Sequence, residues 1–130
     1  MGVAAYTIGT FAVAVVWHVV IFKEQYQAFG YFADEPNFFL GFLTILIQGC
    51  LLCILFPKIS FVGNIRARTL KFVITAGLFL WTSHVLAFLA KQTTNAPWSY
   101  LIMETFYLSL QFGLFGIFLN IIYAKSRNLK

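Results

Sequence analysis

Four long apolar stretches constrain this chain more than anything else in it. They run over about residues 3–22, 37–56, 69–90 and 100–123. Each approaches the ~20 residues that a helix needs to cross about 30 Å of hydrocarbon. In that solvent every backbone N–H and C=O must find its partner within the protein, so the stretches are predicted to be helices. The expected fold is an all-α membrane protein, one domain over residues 1–130, with four transmembrane helices in an up-down-up-down bundle. Composition agrees, since 61% of residues are hydrophobic and only 10% are charged, against about 25% charged in soluble domains. The net charge of +5 sits in short flanks of the apolar runs. That placement excludes a nucleic-acid reading and speaks for membrane topology.

Charge placement predicts the orientation. Lys58, Arg66, Arg68 and Lys71, between or just inside spans two and three, share a side with Lys125, Arg127 and Lys130 of the tail. No acid lies among them. The other two connections hold Lys23 and Lys91 with three acids, Glu24, Asp34 and Glu35. Basic residues are retained in the cytoplasm, so both termini are expected there, in a cell inner membrane. Lys58, Arg66 and Arg68 are placed to meet anionic lipid. Span one has no basic residue before it and reads as an uncleaved helix.

Punctuation fixes the ends. Pro36 suits the first turn of span two, and Pro57 closes it. Gly63-Asn64 is a turn signal. The segment from Lys23 to Pro36 carries Tyr26, Phe29, Tyr31 and Phe32 and is expected to lie at the interface as a connector, with a lid over a site as the lesser reading.

The orientation puts three ionisable residues at similar depth. His18, His84 and Glu104 all fall within about one to two helical turns of the outer ends of their spans. They are the first candidate site. A carboxylate in a span costs roughly 2.5–3.5 kcal/mol on insertion scales and needs a partner or a proton. Two imidazoles and one carboxylate could relay protons or hold zinc or non-haem iron. The commoner role of such groups is interhelical hydrogen bonding. No compact motif such as H-E-x-x-H points to a metal. Tyr100, Glu104, Tyr107 and Gln111 recur at three- and four-residue steps, so they share a helix face that should turn away from lipid. Gln48 is the expected mid-membrane partner of Gln111. The ligand or proton site is therefore drawn from His18, His84, Glu104, Tyr107, Gln48 and Gln111. His18-Val19 and His84-Val85, each with Trp17 or Trp81 close before it, suggest a repeat of two hairpins about an axis along the membrane normal.

Two further patterns carry chemistry elsewhere. Cys50-Leu51-Leu52-Cys53 resembles the C-x-x-C of quinone-linked disulfide-forming membrane enzymes, but both thiols fall in the cytoplasmic half of span two with no second pair. Small apolar packing residues are their expected role. Ala14-Val15-Val16-Trp17-His18 resembles the pigment-ligating pattern of light-harvesting helices, in which Ala leaves room for a macrocycle. Span three does not repeat it, since Leu80 stands where Ala would be. No cofactor is expected, with metal or pigment and haem ligation as the minor alternatives.

Trp17-His18, Phe22-Lys23, Tyr26, Gly30-Tyr31, Pro36, Gly41, Gln48-Gly49 and Phe56-Pro57-Lys58 together resemble the small four-helix inner-membrane proteins common in bacteria. The resemblance implies a location and no activity. A thin Phe-rich bundle with small contact residues such as Gly9, Gly41 and Gly77 suits docking beside other subunits or self-association. The leading expectation is a non-catalytic accessory or scaffold subunit of a membrane complex. The alternatives are a small oligomeric transporter or channel using Glu104, and a membrane cofactor or metal carrier using His18, His84 and Glu104.

Overall fold

The structure is a computed structural model that describes residues 1–32 and 35–127, and the side chains up to residue 124. Asp34, Lys130 and the side chains of Lys125 and Arg127, which enter the charge pattern, lie outside the described residues. The chain is all-helical. Helix α1 (Gly2–Val15) continues into a π-helical segment (Val16–Ile21), and the short α2 (Lys23–Ala28) follows. Then come α3 (Phe38–Leu55) and α4 (Ile65–Trp81). A second π-helical segment (Thr82–Leu86) leads into α5 (Ala87–Lys91), and α6 (Pro97–Arg127) completes the chain. Among the described residues, four helical stretches are long and apolar enough to cross a membrane: Gly2–Ile21, Phe38–Leu55, Ile65–Lys91 and Pro97–Ala124.

Caps explain where these bounds depart from the apolar runs. The side chain of Asn64 accepts from the Ala67 N–H at 3.0 Å, and that of Asn37 from the Leu40 N–H at 3.0 Å. Such caps satisfy N–H groups that helix starts leave open, for about 1 kcal/mol each. Capping by Asn64 starts the third span at Ile65, so Arg66 and Arg68 lie in its first turn and not in a loop. Pro36, expected in the first turn of span two, instead precedes the Asn37 cap. Pro97 takes the first position of α6, three residues before the expected start. Four hydroxyls within the spans are satisfied locally: Thr44, Thr75, Thr105 and Ser109 each donate to the carbonyl four residues back. That arrangement lets a polar side chain face lipid without an orphaned donor.

Packing centres on α6, which contacts α1 on one side and α4 on the other, while α3 packs on α1. Tyr6 and Gly49 make a tight contact between α1 and α3. A Cβ at Gly49 would stand 2.9 Å from the Tyr6 ring and 3.2 Å from Thr7 Oγ1, so only glycine lets the helices come this close. The buried stripe of α6 includes Tyr100, Glu104, Tyr107, Leu108, Gln111, Phe112, Phe115 and Leu119. At one end Phe56 packs edge-on against Phe72 and Tyr123. Toward the other end α3 makes little contact with α4. There a cavity of about 290 Å³ opens between them.

Candidate functional site

The two π-helical segments set up the site. Each widens the helix by one residue, so that Phe22 N–H reaches the Trp17 carbonyl and Ala87 N–H reaches the Thr82 carbonyl, five residues back. A π segment re-aims the side chains that follow it relative to the helix before, and such segments recur at functional sites. Each holds one histidine as its third residue, His18 in the first and His84 in the second. Both rings reach the same carboxylate. His18 Nε2 lies 2.9 Å from Glu104 Oε1, and His84 Nε2 lies 2.8 Å from Glu104 Oε2. Glu104 is fully buried, His18 is buried, and the His84 side chain is 36% exposed.

The short helix α2 supplies the rest. Gly30, at φ +71°, ends it in a left-handed turn. The Tyr31 N–H bonds the Tyr26 carbonyl, and the Gly30 N–H bonds the Gln27 carbonyl. This is the Schellman arrangement, which brings the residue after the glycine over the one that starts the last turn. The two are Tyr31 and Tyr26, whose rings meet edge to face at 5.4 Å. Tyr26 donates to Glu104 Oε1 at 2.5 Å and accepts from Trp17 Nε1 at 2.9 Å. The Tyr31 hydroxyl lies 3.2 Å from His84 Nε2. Burial, then the nearby Glu104 charge, raises both phenols above their ordinary range. They stay protonated and act as donors or neutral neighbours. The segment expected as an interfacial connector is thus a cover over the cluster.

The contacts constrain where the protons of the cluster sit. His18 Nδ1 faces the Ala14 carbonyl at 3.0 Å. A carbonyl only accepts, so Nδ1 carries hydrogen. His18 Nε2 then meets Glu104 Oε1 with a proton between them, either as imidazolium and carboxylate or as imidazole and carboxylic acid. His84, donating from Nε2, satisfies Oε2 as a neutral ring. With His84 neutral the cluster is net neutral in both forms, the state that low-dielectric surroundings favour, and the two forms differ only in which end of the 2.9 Å His18–Glu104 hydrogen bond holds the proton.

A second polar group lies deeper. Gln111 Nε2 donates to the Tyr6 hydroxyl at 2.8 Å, which donates to Gln48 Oε1 at 3.2 Å. Gln48 and Gln111, expected to bond directly, are joined through Tyr6. Tyr107 does not bond the carboxylate, and its ring packs edge-on against His18 at 4.4 Å. Gln48, Gln111, Tyr107, His18 and His84 all line the 290 Å³ cavity. Glu104 does not, standing behind the histidines.

The other proposed chemistries meet obstacles in this geometry. Among the described residues no three of His, Cys, Asp and Glu are arranged to hold a metal ion. The two Nε2 atoms address opposite oxygens of one carboxylate at hydrogen-bond distance, so the carboxylate stands where a shared metal would. Ligation of a macrocycle by His18 is not available to this arrangement either, because both its ring nitrogens are engaged. Cys50 and Cys53 are free and half-buried, and Cys53 packs beside Gly2, far along the helices from the cluster. Sequence reasoning missed Tyr26, Tyr31, Trp17 and Tyr6. The signal for the first two was Gly30 with a tyrosine just after it and another four residues before it, the pattern of a helix stop that pairs those side chains.

The fold and site together define a multi-pass, four-span membrane protein with a buried histidine–carboxylate–histidine cluster. Comparison with protein-family models, curated proteins and solved structures gives no match.

Proposed function

We propose that this protein binds a small lipid-soluble molecule in the outer half of a bacterial inner membrane, with binding linked through His84 to the proton shared by His18 and Glu104. In this reading the helices run up-down-up-down with both termini cytoplasmic. The basic residues between spans two and three support that orientation, and the pairing of Gly2, at the start of span one, with Cys53, near the end of span two, fits antiparallel neighbours. The like placement of His18 and His84 in their π segments supports reading the two hairpins as a repeat.

The observation that carries the proposal is the convergence of two imidazoles and a phenol on one buried carboxylate behind the wall of a cavity. Hydrogen bonds between helices in membranes average about 0.6 kcal/mol each, so these three also help to hold the two π segments, α2 and α6 in register.

The test is extraction of the protein purified in mild detergent, followed by mass spectrometry of retained small molecules. Gly41 lines the cavity, and no atom lies within 4 Å of where its Cβ would stand. Gly41→Phe therefore fills the cavity without disturbing the packing. The expected result is a compound enriched over bulk lipid in the wild type and absent from the variant. Equal lipid profiles would overturn the proposal.

The accessory-subunit reading retains one observation of its own. A lipid-facing groove of about 470 Å³ between α4 and α6 is lined by Thr105, Ser109 and Gly113 at four-residue spacing. Small residues in that register admit a further helix. Loss of co-purifying subunits on Gly113→Leu would favour it.

A further inference from the structure

The cavity is more selective than a general refuge for apolar molecules. We infer that its occupant is a ring-headed membrane lipid of the quinone class: one flat six-membered ring bearing carbonyl or hydroxyl oxygens, on a hydrocarbon tail. This rests on the reading that the cavity binds a lipid-soluble molecule, and it names the chemistry.

Three observations converge. The first is the wall. Phe11, Tyr31, Phe32, Phe38 and Tyr107 line the cavity from α1, the segment after α2, α3 and α6. Aromatic faces and edges on several sides favour a flat π system over a flexible acyl chain. The second is size. About 290 Å³ lies at the low end of the roughly 300–1,000 Å³ of small-molecule sites. That space takes one ring with its substituents. It does not take a macrocycle or a phospholipid head with two chains. The tail has an exit, because α3 makes little contact with α4 and Phe38 and Gly41 at that opening are exposed.

The third is polarity at two separate places. His84 uses Nε2 for Glu104 and Tyr31, while its Nδ1 makes no hydrogen bond to a described residue and the side chain is 36% exposed. In the neutral Nε2–H form, Nδ1 accepts a hydrogen bond from a ring hydroxyl. Gln48 uses Oε1 for Tyr6, leaving its amide N–H groups without a described partner. They donate to a ring oxygen. A ring with oxygens on two edges engages both walls, whereas a fatty acid offers polar atoms at one end only. The acceptor at His84 also gives a preference for the hydroxyl-bearing, reduced form over the carbonyl form. The inference concerns binding and includes no electron transfer.

The experiment uses the full chain in nanodiscs, immobilised and equilibrated with a decyl-tailed benzoquinone kept reduced by dithionite, with empty nanodiscs as the baseline. Saturable retention above that baseline is expected, at one ring per chain. Gly41→Phe abolishes it. His84→Gln weakens it by about tenfold, the loss of one good hydrogen bond. Palmitate at equal concentration does not displace it. Unchanged elution and helix content qualify both variants as folded, and His84→Gln alters a half-exposed side chain. No saturable retention of the ring compound, or its full displacement by palmitate, overturns the quinone-class inference. If the extraction experiment still finds another lipid-soluble compound lost in Gly41→Phe, the binding function stands and only the ring class falls. If Gly41→Phe changes neither experiment, both fall.

Discussion

At the scale of single residues, Glu104 decides what its neighbours are. Its two oxygens receive His18, His84 and Tyr26, so a proton lies in each of the three contacts. Tyr26 and Tyr100 make a sharp contrast. Both are fully buried, but the Tyr100 hydroxyl has no partner. A buried unpaired hydroxyl costs about 1–3 kcal/mol, and a made hydrogen bond contributes about 1 kcal/mol. Tyr26→Phe is therefore expected to destabilise by about 1–2 kcal/mol and Tyr100→Phe to be neutral or stabilising, read from unfolding in mixed micelles. Equal losses would contradict the hydrogen-bond assignment. The cover phenols also set an alkaline limit. Tyr26 and Tyr31 have folded values above the ordinary 10.0. Below that pH both states hold the proton and the contribution to stability is complete. Above it the unfolded chain releases protons that the folded chain keeps, so stability falls, and the contribution is lost as pH passes the folded values. Between about pH 10 and 11 the stability of Tyr31→Phe should fall less steeply than that of the wild type, by the equivalent of one proton. Parallel slopes would show that Tyr31 titrates normally.

At the scale of elements, the site depends on two departures from regular helix. One is the pair of π segments that turn His18 and His84 toward α6. The other is the stop at Gly30. No other side chain presses on Gly30, since nothing lies within 4 Å of a Cβ built there. Its need for glycine is the left-handed backbone itself. Gly30→Ala should cost about 1 kcal/mol and loosen Tyr31 from His84, seen as faster exchange of the Tyr31 ring environment by NMR. A variant with unchanged stability and an unchanged Tyr31 signal would remove the turn from the explanation. The spans were legible in the sequence because hydrocarbon demands long apolar helices whatever else they do. The π segments were not, because a one-residue widening leaves apolar residues apolar and shows only in the direction of the side chains. The cover was only the lesser reading of its segment for a related reason. Tyrosine serves as an interfacial anchor as well as a packed side chain, and the Gly30 stop is the one local sign that Tyr26 and Tyr31 pair.

At the scale of the whole molecule, the stripe Tyr100, Glu104, Tyr107 and Gln111 was legible because its spacing puts four polar or half-polar groups on one helix face. That face is buried throughout. Similar expected depth made His18, His84 and Glu104 one candidate set in the sequence, but which helix faces which, and so whether they meet, was not legible there. The role of Tyr6 between Gln48 and Gln111 was hidden, since nothing in an apolar first helix shows which residue faces a given neighbour. In the assembled bundle α1 and α4 pack on α6, α3 and α4 are left with little contact, and the His84 side chain stays 36% exposed. The most direct measurement of this arrangement is the nitrogen-15 spectrum of histidine-labelled protein in bilayers, where the sequence supplies only two rings. His18 should show a protonated Nδ1 with Nε2 sharing a proton, and His84 a neutral ring protonated at Nε2. Glu104→Gln should move both sets of signals. Two ordinary histidine spectra that Glu104→Gln leaves unchanged would contradict the shared-proton cluster.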